Sequence, residues 1–385
     1  MVRTPTLSLR VTSRGKGESA GIGSNQFSED YGAGTITING GTVIATSGGD
    51  QYAIGAGHGS DKHNSLTFAD NLGVFITENL YRSQKGNRVS DCRNNKYVRI
   101  KTCGHGVATF SIVDSEKHAI TGCNYCYAGE EAHAFGSYGE CAVCHLISLA
   151  DDADNGRIIA HWDGATDKAV TLRGRKLSKN GNWNTLCLPF SLALDGSPLD
   201  GATLQELDVD GTYGSKQTGF DNGTLNLYFK PATSIEAGNP YIVKWDSGDD
   251  VTSPVFTGVT IANVQHDVTS SDGKVSFKGI YDPKAIAGED KTILYMGSGN
   301  KLYYPNQAMT INSCRAYFSL EGISAGDLPT EAVYLNFGEG TTGVNGVRSK
   351  MSEVRSDVFF DLSGQRVVTP KKGLYITNGK KVVLK

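Results

Sequence analysis

AGTITINGGTVIAT, residues 33–46, alternates β-branched with small or polar residues around a Gly40-Gly41 bend. NSLTFADNLGVFIT, residues 64–77, repeats the pattern about 30 residues later with Asn71 at the bend. The fragments AGIGS (residues 20–24) and AIGAG (residues 53–57) precede the two copies in the same way. Alternation at period two places Ile36, Ile38 and Val43 beside Leu66, Phe68 and Val74, which predicts stacked coils of a parallel β-helix or solenoid. A pair of hairpins with a chance echo is the alternative. One coil buries little by itself and a solenoid needs about three repeats and a cap, so further coils are expected upstream of this chain.

Working outward, the composition supports the same class. There are 48 Gly, 17 Tyr and 14 Phe, the make-up of short strands joined by tight turns. At 385 residues two to four domains are expected. Lys and Arg number 37 against 40 acidic residues, a formal charge of -3, which excludes the basic imbalance of a nucleic-acid binder. No run approaches the roughly 20 apolar residues of a membrane span, and the opening residues lack the apolar stretch of a signal peptide, so the chain reads as started mid-domain.

Five segments follow from these shifts in character: a β-helix-like fragment over residues 1–92, a Cys/His module over 97–148, a β-sandwich over 149–338, a Gly/Ser/Thr-rich linker over 339–356, and a short β tail over 357–385. The sandwich is read from NTLCLPFSL (residues 184–192), GTLNLYFK (223–230), NPYIVKW (239–245), GKVSFKGIY (273–281) and SCRAYFSL (313–320), all with period-two patterning between turn signals. The fold class is therefore mainly β, with a partial parallel β-helix, a small zinc-ribbon-like module, an antiparallel β-sandwich and a C-terminal β unit.

Six of the eight cysteines fall between Cys92 and Cys144. Cys123 and Cys126 form one Cys-x2-Cys knuckle and Cys141 and Cys144 another, fourteen residues on; such knuckles hold two thiolates at the separation a tetrahedral ion requires. Cys103, His105, His118 and His133 bring the count to eight ligands, enough for one or two structural zinc ions. The four knuckle cysteines could form one site alone. Equally, Cys103 and His105 could join one knuckle while His118 and His133 join the other. Two disulfides crossing between the knuckles are the rival in an oxidising compartment. Cys92 and His145 are expected to be a free thiol and a solvated side chain, and Cys187 and Cys314 to be buried small hydrophobes.

The module, with its CGH, CNYC, HAFG and CAVC, resembles Cys/His repeats of large surface proteins of Bacteroidales of the Prevotella and Bacteroides type. WNTLCLPFSL, IEAGNPYIVKW, SPVFTGVTI, ILYMGSGNKLYYP and SCRAYFSL are similar to a β-rich domain of the same group, and GTITINGGTVIAT looks like its Gly-rich coils. The last 29 residues look like a type A sorting tail of the type IX secretion system, with Gly364, Gly373, Tyr375, Gly379, Lys380 and Lys385 in the tail's characteristic positions. The resemblance implies export, the export machinery as a partner through that tail, and an extracellular or outer-membrane location. Glycans or host surface proteins are the binding partners it suggests.

Enzymatic signatures are missing. The acidic residues of the repeats are scattered among turns, where Asp is common, and no nucleophile elbow, phosphate loop or His-Glu-x-x-His helix occurs. Trp183 and Trp245 sit in strand patterns that favour the core, whereas at least one of Tyr303 and Tyr304 should be exposed, since neighbours on a strand face opposite ways. The expectation is a non-enzymatic, exported surface protein of adhesion or binding type. A C-terminal fragment of a polysaccharide-active β-helix enzyme, or a purely structural stalk, are the alternatives.

Overall fold

The computed structural model describes residues 10–16, 20–23, 35–48, 52–55, 65–77, 83–212, 216–325, 333–336, 359–360, 366–367, 373–377 and 380–384. The linker 339–356 and the tail residues Gly364, Gly379 and Lys385 lie outside them. Two compact units form: Met1–Leu149 with Lys168–Arg173 and Ser253–Thr257, and the remainder of the chain.

The first unit opens as a three-sided parallel solenoid. Strands β1 (Arg10–Arg14), β2 (Ile22–Gly23) and β3 (Thr35–Ile38) make one coil, and β4 (Thr42–Thr46), β5 (Ile54–Gly55) and β6 (Ser65–Phe68) make the next. Each pairs in parallel with its repeat: Val11 lies opposite Val43, Ile22 opposite Ile54, Ile36 opposite Leu66. The repeat seen in the text is thus a stacking register, not a pair of hairpins. Ala45, Ala53, Ile54, Leu66 and Leu72 fill the interior. The corner glycines are required there: Gly23 (φ 139°) stacks on Gly55 (φ 150°), and a Cβ on Gly23 would sit 1.8 Å from the Gly55 carbonyl oxygen.

A third coil begins with β7 (Leu72–Phe75) but is diverted. Helix α1 (Arg88–Asn94) follows, burying Cys92, and β8 (Tyr97–Thr102) then runs antiparallel between β4 and β7, giving the order β1-β4-β8-β7. A small sheet of β9 (Thr109–Ile112), β10 (Lys117–Thr121) and β11 (Glu130–Ala132) comes next, then β12 (Leu146–Ala150), which pairs with β13 (Lys168–Arg173).

The second unit contains helix α2 (Gly156–His161) and two facing sheets. One holds β14 (Asn184–Cys187), β15 (Thr203–Leu207), β16 (Gly219–Asp221), β17 (Thr224–Ala232) and β18 (Pro240–Lys244) in the order β14-β18-β15-β17-β16. The other holds β19 (Asp267–Thr269), β20 (Val275–Ile280), β22 (Ile293–Gly297), β23 (Lys301–Tyr303) and β25 (Arg315–Leu320) in the order β19-β20-β25-β22-β23, while β21 (Lys284–Ile286) pairs separately with β24 (Met309–Ile311). Leu227, Phe229 and Ile242 of the first sheet meet Phe277, Leu294 and Phe318 of the second; Phe277 and Phe318 stack at 4.5 Å and Phe229 meets both edge-on.

Three details depart from the reading of the sequence or complete it. The sandwich is not wholly antiparallel, because β26 (Val333–Asn336) adds to β17 in parallel. Tyr303 and Tyr304 are both half-buried: Tyr303 tilts against Tyr295 at 6.0 Å and Tyr304 packs on the core. Trp183, Trp245, Cys187 and Cys314 are buried, as expected. Beyond this unit's core, β27 (Phe359–Phe360), β28 (Arg366–Val367), β29 (Gly373–Thr377) and β30 (Lys380–Leu384) form a four-stranded sheet in which Thr377 lies opposite Lys380.

Candidate metal centre

The eight Cys and His ligands gather into two sets of four: Cys103, His105, Cys123 and Cys126 (site A), and His118, His133, Cys141 and Cys144 (site B). Within each set the ligand atoms lie within 4.8 Å of one another. Each knuckle has its own set, so neither a single four-cysteine site nor disulfides crossing between the knuckles forms; all eight cysteines of the chain are free. Site A uses the turn after β8 and the turn after β10; site B takes His118 from β10, His133 from just beyond β11 and two cysteines from the turn before β12.

Local chain geometry aims these groups. His105 (φ 54°) and Gly106 (φ 60°) are left-handed, folding the chain back so that the His105 N–H donates to Cys103 Sγ at 3.3 Å. The same two-residue step carries the N–H of Tyr125 to Cys123, of Ala128 to Cys126, of Val143 to Cys141 and of Leu146 to Cys144. Backbone donors turned on sulfur stabilise the thiolate. Burial raises the Cys123 thiol, but Tyr125 and the His105 ring outweigh it and hold the thiol down at about 6. At Cys141 the N–H groups of Cys144 and Val143 outweigh burial in the same way, giving about 7. Their partners Cys126 and Cys144 are pushed up, to about 12 and about 11, by burial and by the neighbouring sulfur.

The separations match the edges of a coordination tetrahedron. With bonds of about 2.3 Å to sulfur and about 2.05 Å to nitrogen, tetrahedral angles set sulfurs about 3.8 Å apart, sulfur and nitrogen about 3.6 Å, and two nitrogens about 3.3 Å. In site A, Cys103 Sγ lies 3.8 Å from Cys123 Sγ, Cys123 Sγ 3.5 Å from Cys126 Sγ, and Cys126 Sγ 3.4 Å from His105 Nδ1. In site B, the Nδ1 atoms of His118 and His133 are 3.3 Å apart, and Cys141 and Cys144 Sγ lie 3.9 and 3.4 Å from one of them each. Either set could hold one four-coordinate metal ion.

Outer groups flank two of the rings. His105 Nε2 is 3.1 Å from Glu131 Oε2, and His133 Nε2 lies 3.0 Å from the Asp114 carbonyl oxygen, leaving each Nδ1 to face the ligand set. Glu131 and Asp114 were not evident from the sequence, since only the pairing of β10 with β11 brings Glu131 close. Cys92 and His145 stay outside both sets: Cys92 is buried under the coils and His145 is exposed beside Glu140.

Site A is built onto the solenoid. The Cys103 N–H donates to the Asn71 carbonyl at 2.9 Å, and the N–H groups of Tyr127 and Ala128 both reach the Asp70 carbonyl. Arg88, 6% exposed, donates to the Ala69 and Leu72 carbonyls and lies over the rings of Phe68 and Tyr127. The β6–β7 turn of the last coil is thus wrapped by the knuckle that carries Cys123 and Cys126. The apolar cluster around site A is small: Ile120 is buried with Cys103, Cys123 and Cys126, and Ala108, Phe110, Tyr125 and Ala128 pack against them partly buried.

Comparison of the chain with family models, curated proteins and solved structures finds no match.

Proposed function

We propose that this chain is an exported, non-enzymatic cell-surface protein of adhesion or ligand-binding type, in which two structural zinc ions build the cap of a β-solenoid. The observation that carries the metal part is that each set supplies four Cys or His ligands, the make-up of a closed scaffold ion, whereas catalytic zinc keeps a position for water. Thiolate with imidazole favours zinc over the oxygen-seeking Mg²⁺ and Ca²⁺. A solenoid end needs covering, because its last strands otherwise offer unpaired edges. Site A meets that need through the bonds from Cys103, Tyr127 and Ala128 to the last coil turn.

Export rests on the resemblance of residues 357–385 to a type A sorting tail and of the other segments to Bacteroidales surface proteins. In that setting the loops of the second unit are the parts offered to glycans or host proteins, and the export machinery reads the tail. The test is protease shaving of intact host cells, with zinc measured on the purified protein. Surface-exposed protein carrying two zinc ions, lost from the surface on deleting 357–385, is the expected result. Unchanged display without the tail would sink the sorting role, and metal-free protein with oxidised knuckles would sink the zinc cap.

A further inference from the structure

In the second unit, β22 and β25 pair only at Ile293 with Ser319 and Leu294 with Phe318. From Tyr295 onward β22 turns to β23, Tyr295 facing Tyr303 and Met296 facing Leu302, while the Ala316 N–H of β25 donates to Thr185 Oγ1 at 3.2 Å. The strands splay, and a cavity of about 220 Å³ opens between Tyr295 and Arg315, with Thr185 and Met309, Thr310 and Asn312 around it. β24 borders it, held by β21 through the pairing of Thr310 with Ala285.

Its electrostatics are one-sided. Among the described residues no carboxylate lines the cavity, and Arg315 does. Asp151, which pairs with Arg315, already receives both guanidinium nitrogens and the Asn312 amide at 2.7 Å. Behind Thr185 lies a second guanidinium: Arg175 is 4% exposed, donates to the Thr185 carbonyl at 2.7 Å, and leaves its Nε without a hydrogen-bond partner. Half-buried Arg315 and fully buried Arg175 are faced by one carboxylate, whose oxygens are already engaged, so the wall carries surplus positive charge.

The volume corresponds to about seven waters at about 30 Å³ each, below the range of drug-sized pockets. The lining mixes hydroxyls and an amide with the faces of Tyr295 and Met309, which suits a polyol having one apolar side. We propose that this wedge binds a small carboxylated sugar, a hexuronate, with its carboxylate at Arg315, its hydroxyls at Thr310 and Asn312, and its ring against Tyr295 and Met309. The site is independent of the metal module.

The test uses the full chain and ligand-observed NMR titrations with galacturonate, galactose and acetate. Galacturonate should bind at least about tenfold more tightly than galactose or acetate, a difference of about 1.4 kcal/mol, and more weakly as salt is raised. Thr310→Trp, at an exposed rim position, should abolish binding with the melting temperature unchanged. Arg315→Lys should cut the preference for galacturonate over galactose. Equal binding of galacturonate and galactose, acetate as tight as galacturonate, binding that survives Thr310→Trp, or no binding at all would overturn the proposal.

Discussion

Ile100 of β8 faces Val43 on one side and Val74 on the other. Val43 and Val74 belong to successive copies of the repeat, so β8 fills the place where β7 would have stacked on β4 and separates the two copies by a reversed strand, leaving β7 at the edge. Ile100 is fully buried there. Ile100→Ala should destabilise the first unit by about 2–5 kcal/mol, seen as faster amide exchange in β4, β7 and β8, with both metal sites still filled. Exchange unchanged in β4 would mean that β8 does not seal the coil.

The two metal sites should come apart by mutation. Cys126→Ala and Cys144→Ala should each lower the metal content from two ions to one, because the sets share no ligand. Only Cys126→Ala should also speed amide exchange at Tyr127 and Ala128, whose N–H groups are bonded to the Asp70 carbonyl of the coil turn. Elemental analysis with exchange mass spectrometry checks both. A single substitution that empties both sites would show the module to be one cooperative cluster.

Corner packing of the coils makes a steric prediction. With φ at 139° and the Gly55 carbonyl 1.8 Å from where a Cβ would stand, Gly23→Ala should cost at least about 2–4 kcal/mol. Gly40→Ala, where a Cβ meets nothing within 4 Å, is the control and should change stability far less. Limited proteolysis of the first unit reads the contrast.

Asp272 should contribute to acid sensitivity. Burial raises its carboxyl, but the N–H of Phe220, the hydroxyl of Ser270 and the N–H of Lys274 outweigh that and hold it below the usual carboxylate range. A carboxyl depressed on folding adds stability that is present above its unfolded value and lost as pH falls through the folded one. Asp272→Asn should therefore cost about 0.5–1 kcal/mol at neutral pH, and the gap from wild type should close under acid. Urea melts across pH test this, and a gap that widened on acidification would reverse the assignment.

Much of this was legible in the sequence, for identifiable reasons. Alternation of Ile36 and Ile38 with Leu66 and Phe68 gives strand and register together, because side chains repeat every two residues and the copies repeat about every 30. The ligands were legible as residue types, since few side chains bind metal and their Cys-x2-Cys spacing is stereotyped. Their division was not. It depends on which strands of the β9–β11 sheet meet, and pairing over such separations leaves no local mark. β1 was hidden because RVTSR has only one aliphatic side chain, and its place comes from β4 beside it. The wedge at Arg315 was unreadable for the same reason: Asp151, Arg175 and Arg315 are far apart along the chain.

The order in which the ligands occur has a temporal consequence. A chain made from its N-terminus exposes Cys103, His105, Cys123 and Cys126 before Cys141 and Cys144 emerge, so the first knuckle meets its own partners first. His118, emerging in between, waits for His133, Cys141 and Cys144. Synthesis from one end therefore sorts the two knuckles into separate sites, whereas refolding the finished chain from denaturant exposes all four knuckle cysteines at once and opens a route to their mispairing.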